Sequence, residues 1–379
     1  MKKQLALAAG LAVLAAPAFA SKARLAALGE DTNGSFYIQD NRNIFLNASE
    51  VNNQKDFVTY ELENDGGNGE GGFIRNAGNL VWGAHMGRNL SYNEGTDSFA
   101  TDANDDGDVD AGDLFVYQAT NALDLFIGGD AGIKWGVQLT YSSQKNDDFN
   151  AGDGGAGLAT NTEAKTDVMD LAVGLSQGPW AAYLKYGITG KTDHKDQDVE
   201  VERKGDTEIG GSYSWNGYTA FGYYGMNEFE VDGDNNVESN EMSLGVARQD
   251  KLNDKAVLFT KVAYTNTTSD VKDAGEDGEN NESDLSATIG LEFDAASWLT
   301  LRGSVSQEIL INEVETKAAV ANSDSNKNTE ANTTVVAAGA SLKFGDMAVD
   351  GMIGNTASGT AGEIDSSNLM TRVSMTYRF

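Results

Sequence analysis

Apolar and polar residues take turns along much of this chain, with a period of two. In 133–142, Ile133, Trp135, Val137, Leu139 and Tyr141 fall on one face, and Lys134, Gly136, Gln138, Thr140 and Ser142 on the other. In 284–294, Leu285, Ala287, Ile289, Leu291 and Phe293 alternate with Ser286, Thr288, Gly290 and Glu292. In 298–308, Leu299, Leu301, Gly303 and Val305 alternate with Thr300, Arg302, Ser304, Ser306 and Glu308. The last segment sets Leu369, Val373, Met375, Tyr377 and Phe379 against Met370, Arg372, Ser374, Thr376 and Arg378. A two-residue period puts successive side chains on opposite faces of a β-strand. Strands are predicted near 56–63, 71–77, 79–88, 122–129, 133–145, 164–176, 180–190, 206–215, 218–230, 237–249, 255–267, 284–294, 298–309, 331–344, 347–354 and 367–379. That makes about sixteen, within a range of roughly 14–18, the even number that bacterial outer-membrane barrels carry.

A soluble sandwich alternates too, so the choice falls to the connections and the aromatic residues. Tight turns, such as Asn216-Gly217 and Gly345-Asp346, alternate with long polar stretches at 89–121, 146–163, 191–204, 269–283, 310–330 and 355–366. Asn-Gly supplies the positive φ angles of a type I′ hairpin turn. Short turns on one side and long loops on the other mark a transmembrane barrel. Trp215 and Tyr218 bracket one turn, Trp180 and Trp298 sit beside others, and Phe344 and Met347 flank another. Amphipathic rings of this kind prefer the headgroup level of a bilayer. The fold class expected is all-β: a closed antiparallel transmembrane β-barrel over 56–379, with short periplasmic turns and long acidic extracellular loops. Closure follows because hydrocarbon offers no partner to an unpaired strand edge.

Composition agrees. Glycine is frequent (44 residues) and proline scarce (2), which favours sheet with glycine-rich turns over long helices. The net charge of −31 could accompany disorder, but 15 Phe, 13 Tyr and 5 Trp point to an ordered structure. Nucleic acid is excluded as a partner, because phosphate binding needs clustered Lys and Arg. Residues 1–20 carry a basic start at Lys2 and Lys3, an apolar run from Leu5 to Ala16 and the small-x-small site Ala18-Phe19-Ala20, the pattern of a secretory signal peptide. The chain has no cysteine, so disulfides do not hold it together. Residues 21–55 precede the first confident strand and form either a periplasmic leader or a lumen plug.

Three candidate sites emerge. The acidic stretch 101–115 places Asp102, Asn104, Asp106, Asp108, Asp110 and Asp113 at the ligand positions of an EF-hand-type loop, with Gly107 at the sharp turn and Val109 after it. It is expected to hold a structural Ca2+. The non-lipid face supplies pore-lining candidates of both signs: Lys134, Asp170, Lys185, Glu208, Glu292, Arg302, Glu308, Lys343, Asp350 and Arg372, with Asp124 beside them. Charged walls of this kind filter ions, and the acidic loops predict a weak cation preference at the outer mouth. Catalysis is not expected. The chain holds only two histidines, His85 and His194, and no serine-centred motif accompanies either.

The chain resembles the porin-type outer-membrane proteins of Gram-negative bacteria. Its close "LMTRVSMTYRF" is similar to their C-terminal assembly signal, with Val373, Met375, Tyr377 and Phe379 alternating. The resemblance implies reading by the barrel-assembly machinery, contact with outer-membrane lipid and lipopolysaccharide, an integral outer-membrane location, and a homotrimer as one available assembly. "GGFIRNAGNLVWGAHMGR" and "ALDLFIGGDAGIKWGVQLTYS" are similar to abundant outer-membrane proteins of Bdellovibrio-type bacteria. "NIFLNASEVN" at 43–52 resembles the Asn-Pro-Ala element of outer-membrane long-chain fatty-acid transporters, with Ala48 where the proline would stand. The function expected is a channel for passive diffusion of small hydrophilic solutes. A plugged transporter for a hydrophobic ligand and a structural barrel with a closed pore are the alternatives.

Overall fold

The computed structural model describes residues 21–63, 69–90, 119–150, 161–194, 199–231, 235–273, 276–317, 326–329, 334–357 and 372–379. The wall strands are β1 (Phe57–Glu63), β2 (Glu70–Ala77), β3 (Leu80–Leu90), β4 (Ala119–Asp130), β5 (Lys134–Asn150), β6 (Asn161–Gln177), β7 (Trp180–His194) and β8 (Val199–Trp215). They continue as β9 (Tyr218–Val231), β10 (Asn235–Asn253), β11 (Ala256–Asp273), β12 (Glu276–Ala296), β13 (Leu299–Lys317), β15 (Thr334–Phe344), β16 (Met347–Ala357) and β17 (Arg372–Arg378). A short β14 (Asn326–Thr329) pairs only with the far end of β13. Each wall strand lies antiparallel to its neighbours in sequence. β1 pairs with β17 from Phe57↔Arg378 to Glu63↔Arg372 and so closes a sixteen-strand barrel.

The alternation sorts oil from water, but with its polarity turned outward. Leu125, Ile127, Leu184, Ile188, Ile209, Leu244, Ile289 and Leu301 are exposed on the outer face. Gln138, Thr140, Ser142, Thr288, Thr300, Ser304, Ser341 and Thr376 are buried on the inner one. Such a distribution is stable where lipid covers the outside. Aromatic residues mark two levels on that face: Trp135 and Tyr141, Trp180 and Tyr186, and Tyr218 and Tyr224 are each six positions apart, about 20 Å along a strand. At the short-turn level Trp215 stacks on Tyr218 with centroids 5.8 Å apart, and Tyr377 on Phe379 at 6.3 Å. The Asn216-Gly217 turn has φ of 47° and 84°, as a type I′ turn requires.

Several strands run further than the alternation predicts. The stretch 269–283 reads as a long polar loop, yet Ser269↔Asn280, Val271↔Gly278 and Asp273↔Glu276 are paired in a continuing hairpin. β13 likewise reaches Lys317. The sequence there is mostly polar at both parities, so the two-residue hydropathy signal vanishes while the backbone ladder continues.

Residues 21–56 lie inside the barrel. Helix α1 (Lys22–Ala27) is capped by Ser21, whose Oγ accepts from Arg24 N–H. Helix α2 (Asn43–Leu46) leads into a 3-10 turn (Ala48–Asn52) capped by Asn47. This segment touches β1 and β2 through Lys22, β5 through Asn52, β6 through Ser49, β7 through Asn47, β10 through Gln249, β11 through Lys261 and β12 through Arg24. A chain of this length can reach strands all round a closed ring only from within. The apolar cores form where it meets the wall. Ile44, Phe45 and Val51 pack with Phe57, Ile74, Val81 and Phe126, while Leu25, Leu28, Tyr37 and Ile38 pack with Ala247 and Phe259. Each such fully buried side chain contributes roughly 1.5–3 kcal/mol.

Candidate functional site

The site is the lumen and the segment that occupies it. Two sides of that contact differ in chemistry.

On the side of β12, β13, β16, β1 and β2 the contact is ionic. Arg24 Nε donates to Glu292 at 2.9 Å and its Nη1 to Asp40 at 3.0 Å. Arg302 donates to the same Glu292 at 2.6 Å and to Asp350 at 2.7 Å. Lys22 Nζ lies 3.0 Å from Glu70, its backbone N–H donates to Glu61, and Arg42 pairs with Glu70. All of these groups except Glu292 and Lys22 are nearly or wholly buried. Burial opposes the Arg24 charge, but Glu292 and Asp40 outweigh it and hold the pKa above the ordinary guanidinium value. Burial and the Glu30 carboxylate raise the Tyr37 phenol, which stays protonated and donates to Glu30 at 2.7 Å. Phe45 sits between two guanidiniums, with Arg42 4.3 Å and Arg88 4.8 Å from its ring centre. Desolvated cation–π pairs of this kind contribute about 2 kcal/mol.

On the side of β5, β6, β7 and β9 the contact is neutral apart from a bond from Lys134 to Asn53 at the short-turn mouth. Asn47 Nδ2 donates to the Ala182 carbonyl at 3.2 Å, Ser49 Oγ to Ser176 Oγ at 3.1 Å, and Asn52 Nδ2 to the Trp135 carbonyl at 2.9 Å. Two glycines permit this approach. A Cβ on Gly136 would meet the Ala48 carbonyl at 1.9 Å, and one on Gly174 would meet Asn47 Oδ1 at 1.9 Å. Phe36 stacks on Phe221 with centroids 4.9 Å apart. Between this flank of the segment and β5–β8, at the short-turn end, lies a partly open cavity of about 370 Å³.

All ten predicted pore-lining residues lie on inner-face positions of their strands, but they do not form one array. Glu292, Arg302 and Asp350 belong to the ionic contact. Lys134 donates to Asn53 at the short-turn mouth. Asp170 pairs with Arg203, Lys185 lies 3.0 Å from Glu208, and Lys343 lies 2.9 Å from Asp294. Glu308 stands near Asp284, across from Ser286 in the β12–β13 ladder, and Arg372 opposite Met352. Asp124 accepts from Arg88, Gln138 and Thr140. Sequence reasoning missed Arg24, Asp40, Arg42, Glu61 and Glu70, the other half of the ionic contact. The charged start of the segment, "SKARLAAL", was the available signal. His85 is buried against Phe45 at 5.0 Å with no hydrogen-bond partner on either nitrogen.

The predicted calcium set, Asp102, Asn104, Asp106, Asp108, Asp110 and Asp113, lies outside the described residues. Among those described, no group of three or more His, Asp or Glu residues is placed to hold a metal ion. Val373, Met375, Tyr377 and Phe379 line up on the outer face, with Met375, Tyr377 and Phe379 exposed.

No protein-family model and no curated protein matches the sequence. Among solved structures, a FadL homologue of Pseudomonas aeruginosa is similar at 9% identity and a TM-score of 0.44, over 95% of this chain and 98% of that one. The anion-selective porin of Comamonas acidovorans is similar at 13% identity and a TM-score of 0.37, over 86% and 97%. OmpT of Vibrio cholerae is similar at 12% identity and a TM-score of 0.37, over 85% and 95%. At TM-scores below 0.5 none of these likenesses bears on what the protein does, and the architecture rests on the strand pairing itself.

Proposed function

We propose that the protein is an integral outer-membrane channel for small hydrophilic solutes, narrowed by its own N-terminal segment. The observation that carries this reading is the pairing of an apolar, lipid-fitted outer face with a polar lumen in which residues 21–56 are bound. Strand-borne apolar residues facing outward need hydrocarbon around them. A lumen walled by hydroxyls, amides and charges suits hydrated solutes and disfavours an apolar ligand, so the fatty-acid-transporter-like alternative has less support. Selection then comes from lumen width and charge, with no chemical step. On the inner wall of β7–β13 outside the ionic contact, Asp206, Glu208, Glu241, Asp284 and Glu308 outnumber Lys185, Arg203 and Lys261, which supports a cation preference. The outward row of Val373, Met375, Tyr377 and Phe379 fits a role in assembly.

The test is conductance in planar bilayers, comparing the mature chain with a version lacking 21–55 behind an unchanged leader. The mature chain should conduct weakly with cation-leaning reversal potentials, and the deletion should conduct severalfold more. Equal, porin-sized conductance from both would remove the narrowing role. Silence from both would leave a structural barrel with a closed pore.

A further inference from the structure

We propose that the cavity between the N-terminal segment and β5–β8 is a binding site for hydroxyl-rich solutes of mono- or disaccharide size that carry no negative charge. The proposal rests on the channel reading above and names the solute class for it. At about 370 Å³ the cavity falls at the lower end of the range for small-molecule sites. It opens toward the short-turn end, where the neutral contact replaces the ionic one.

Its chemistry selects against oil and anions. The rim carries two carboxylates, Glu50 and Asp130, against one ammonium, Lys134. Lys134 donates to Asn53 Oδ1 and stands opposite Asp130 across the β4–β5 turn, and Asn53 Nδ2 donates to Glu50 at 2.9 Å. The other polar groups of the lining are neutral. Among the described residues, the Gln39 amide and the Ser212 hydroxyl line the cavity without a hydrogen-bond partner. Phe36 and Tyr183, 6.2 Å apart at 29°, supply apolar surface beside them. A sugar presents the complementary pair: C–H groups that pack on apolar surface, and hydroxyls that both donate and accept toward amide and hydroxyl groups. An anion meets the Glu50 and Asp130 carboxylates beside the one cation, and an alkyl chain would strip the Gln39 and Ser212 groups of water without replacing it.

The probe is maltose, titrated calorimetrically into the full mature chain in a zwitterionic detergent with no sugar headgroup. Maltose should bind with saturable heat. Glucuronate, an anionic relative, should bind at least about tenfold more weakly. Gln39→Leu with Ser212→Val should lower maltose affinity by about tenfold or more, with the heat-modifiable barrel mobility on gels unchanged. Should the double variant lose that mobility, Gln39→Leu alone, at an exposed side chain, carries the test. Absent maltose heat, tighter binding of glucuronate, or unchanged affinity in the variant would each overturn the site. Liposome swelling separates the two claims. Maltose binding with no solute flux from the mature chain or the 21–55 deletion retires the channel reading and leaves the site. Flux without maltose binding retires the site alone.

Discussion

The two flanks of the N-terminal segment meet the same barrel by different physics. Toward β12, β13, β16, β1 and β2, buried guanidinium and carboxylate groups interlock, and Glu292 is shared between Arg24 of the segment and Arg302 of the wall. Toward β5–β8 the contact consists of neutral hydrogen bonds from Asn47, Ser49 and Asn52, one bond from Lys134 to Asn53 at the mouth, close approach over two glycines, and a cavity. Removing one member of a buried ion pair strands its partner's charge, whereas a neutral hydrogen bond trades almost evenly with water. One flank therefore anchors and the other yields, and space for a solute lies on the yielding side.

The comparison can be broken most directly at Arg24. Arg24→Ala strands Asp40 and leaves Glu292 with Arg302 alone, and should destabilise docking of the segment by about 3–5 kcal/mol. Hydrogen exchange should rise across 22–46, with higher channel conductance. Protection equal to wild type would show that the ionic flank is not the anchor. Gly174→Val drives a side chain into Asn47 and should cost about 1–3 kcal/mol. Its effect should be local, with exchange rising at 47–53 while 22–25 stays protected. A uniform rise would erase the distinction between flanks. Asn47→Ala removes the neutral hydrogen bond to β7 together with the cap of the 3-10 turn and should cost about 0.5–2 kcal/mol, visible as a modest exchange increase confined to that turn. The smallest change is expected from a tether. The chain has no cysteine, so Ser49→Cys with Ser176→Cys would form its only disulfide. With the solute path beside a docked segment, oxidation should leave conductance within about twofold. Loss on oxidation and recovery with reductant would mean that the segment must move.

How much of this could be read beforehand differs by region. The spans of β5, β12 and β13 within the membrane were legible because oil and water impose opposite demands on alternate residues. Their outer ends were not. Past the alternating span, Ser269–Asp273 and Glu276–Asn280 continue the backbone pairing through a mostly polar sequence, so hydropathy does not record the ladder. The inward position of Glu292, Arg302 and Asp350 was legible from parity, but Arg24, which binds Glu292, and Asp40, the other partner of Arg24, lie some 250 residues away or more, and spacing carries no information at that range. The "NASE" stretch stood out as an element without revealing that Gly136 and Gly174 make room for it.

The sequence alone determined the barrel: its alternation, its Asn-Gly turn chemistry and its outward aromatic residues each follow from local demands of bilayer and backbone. Only the tertiary structure decided what fills the barrel, which charges pair and where space remains. Those outcomes depend on bringing a short segment against inner faces drawn from the whole chain, and close packing and buried electrostatics act at distances of a few ångströms, whatever the separation in sequence.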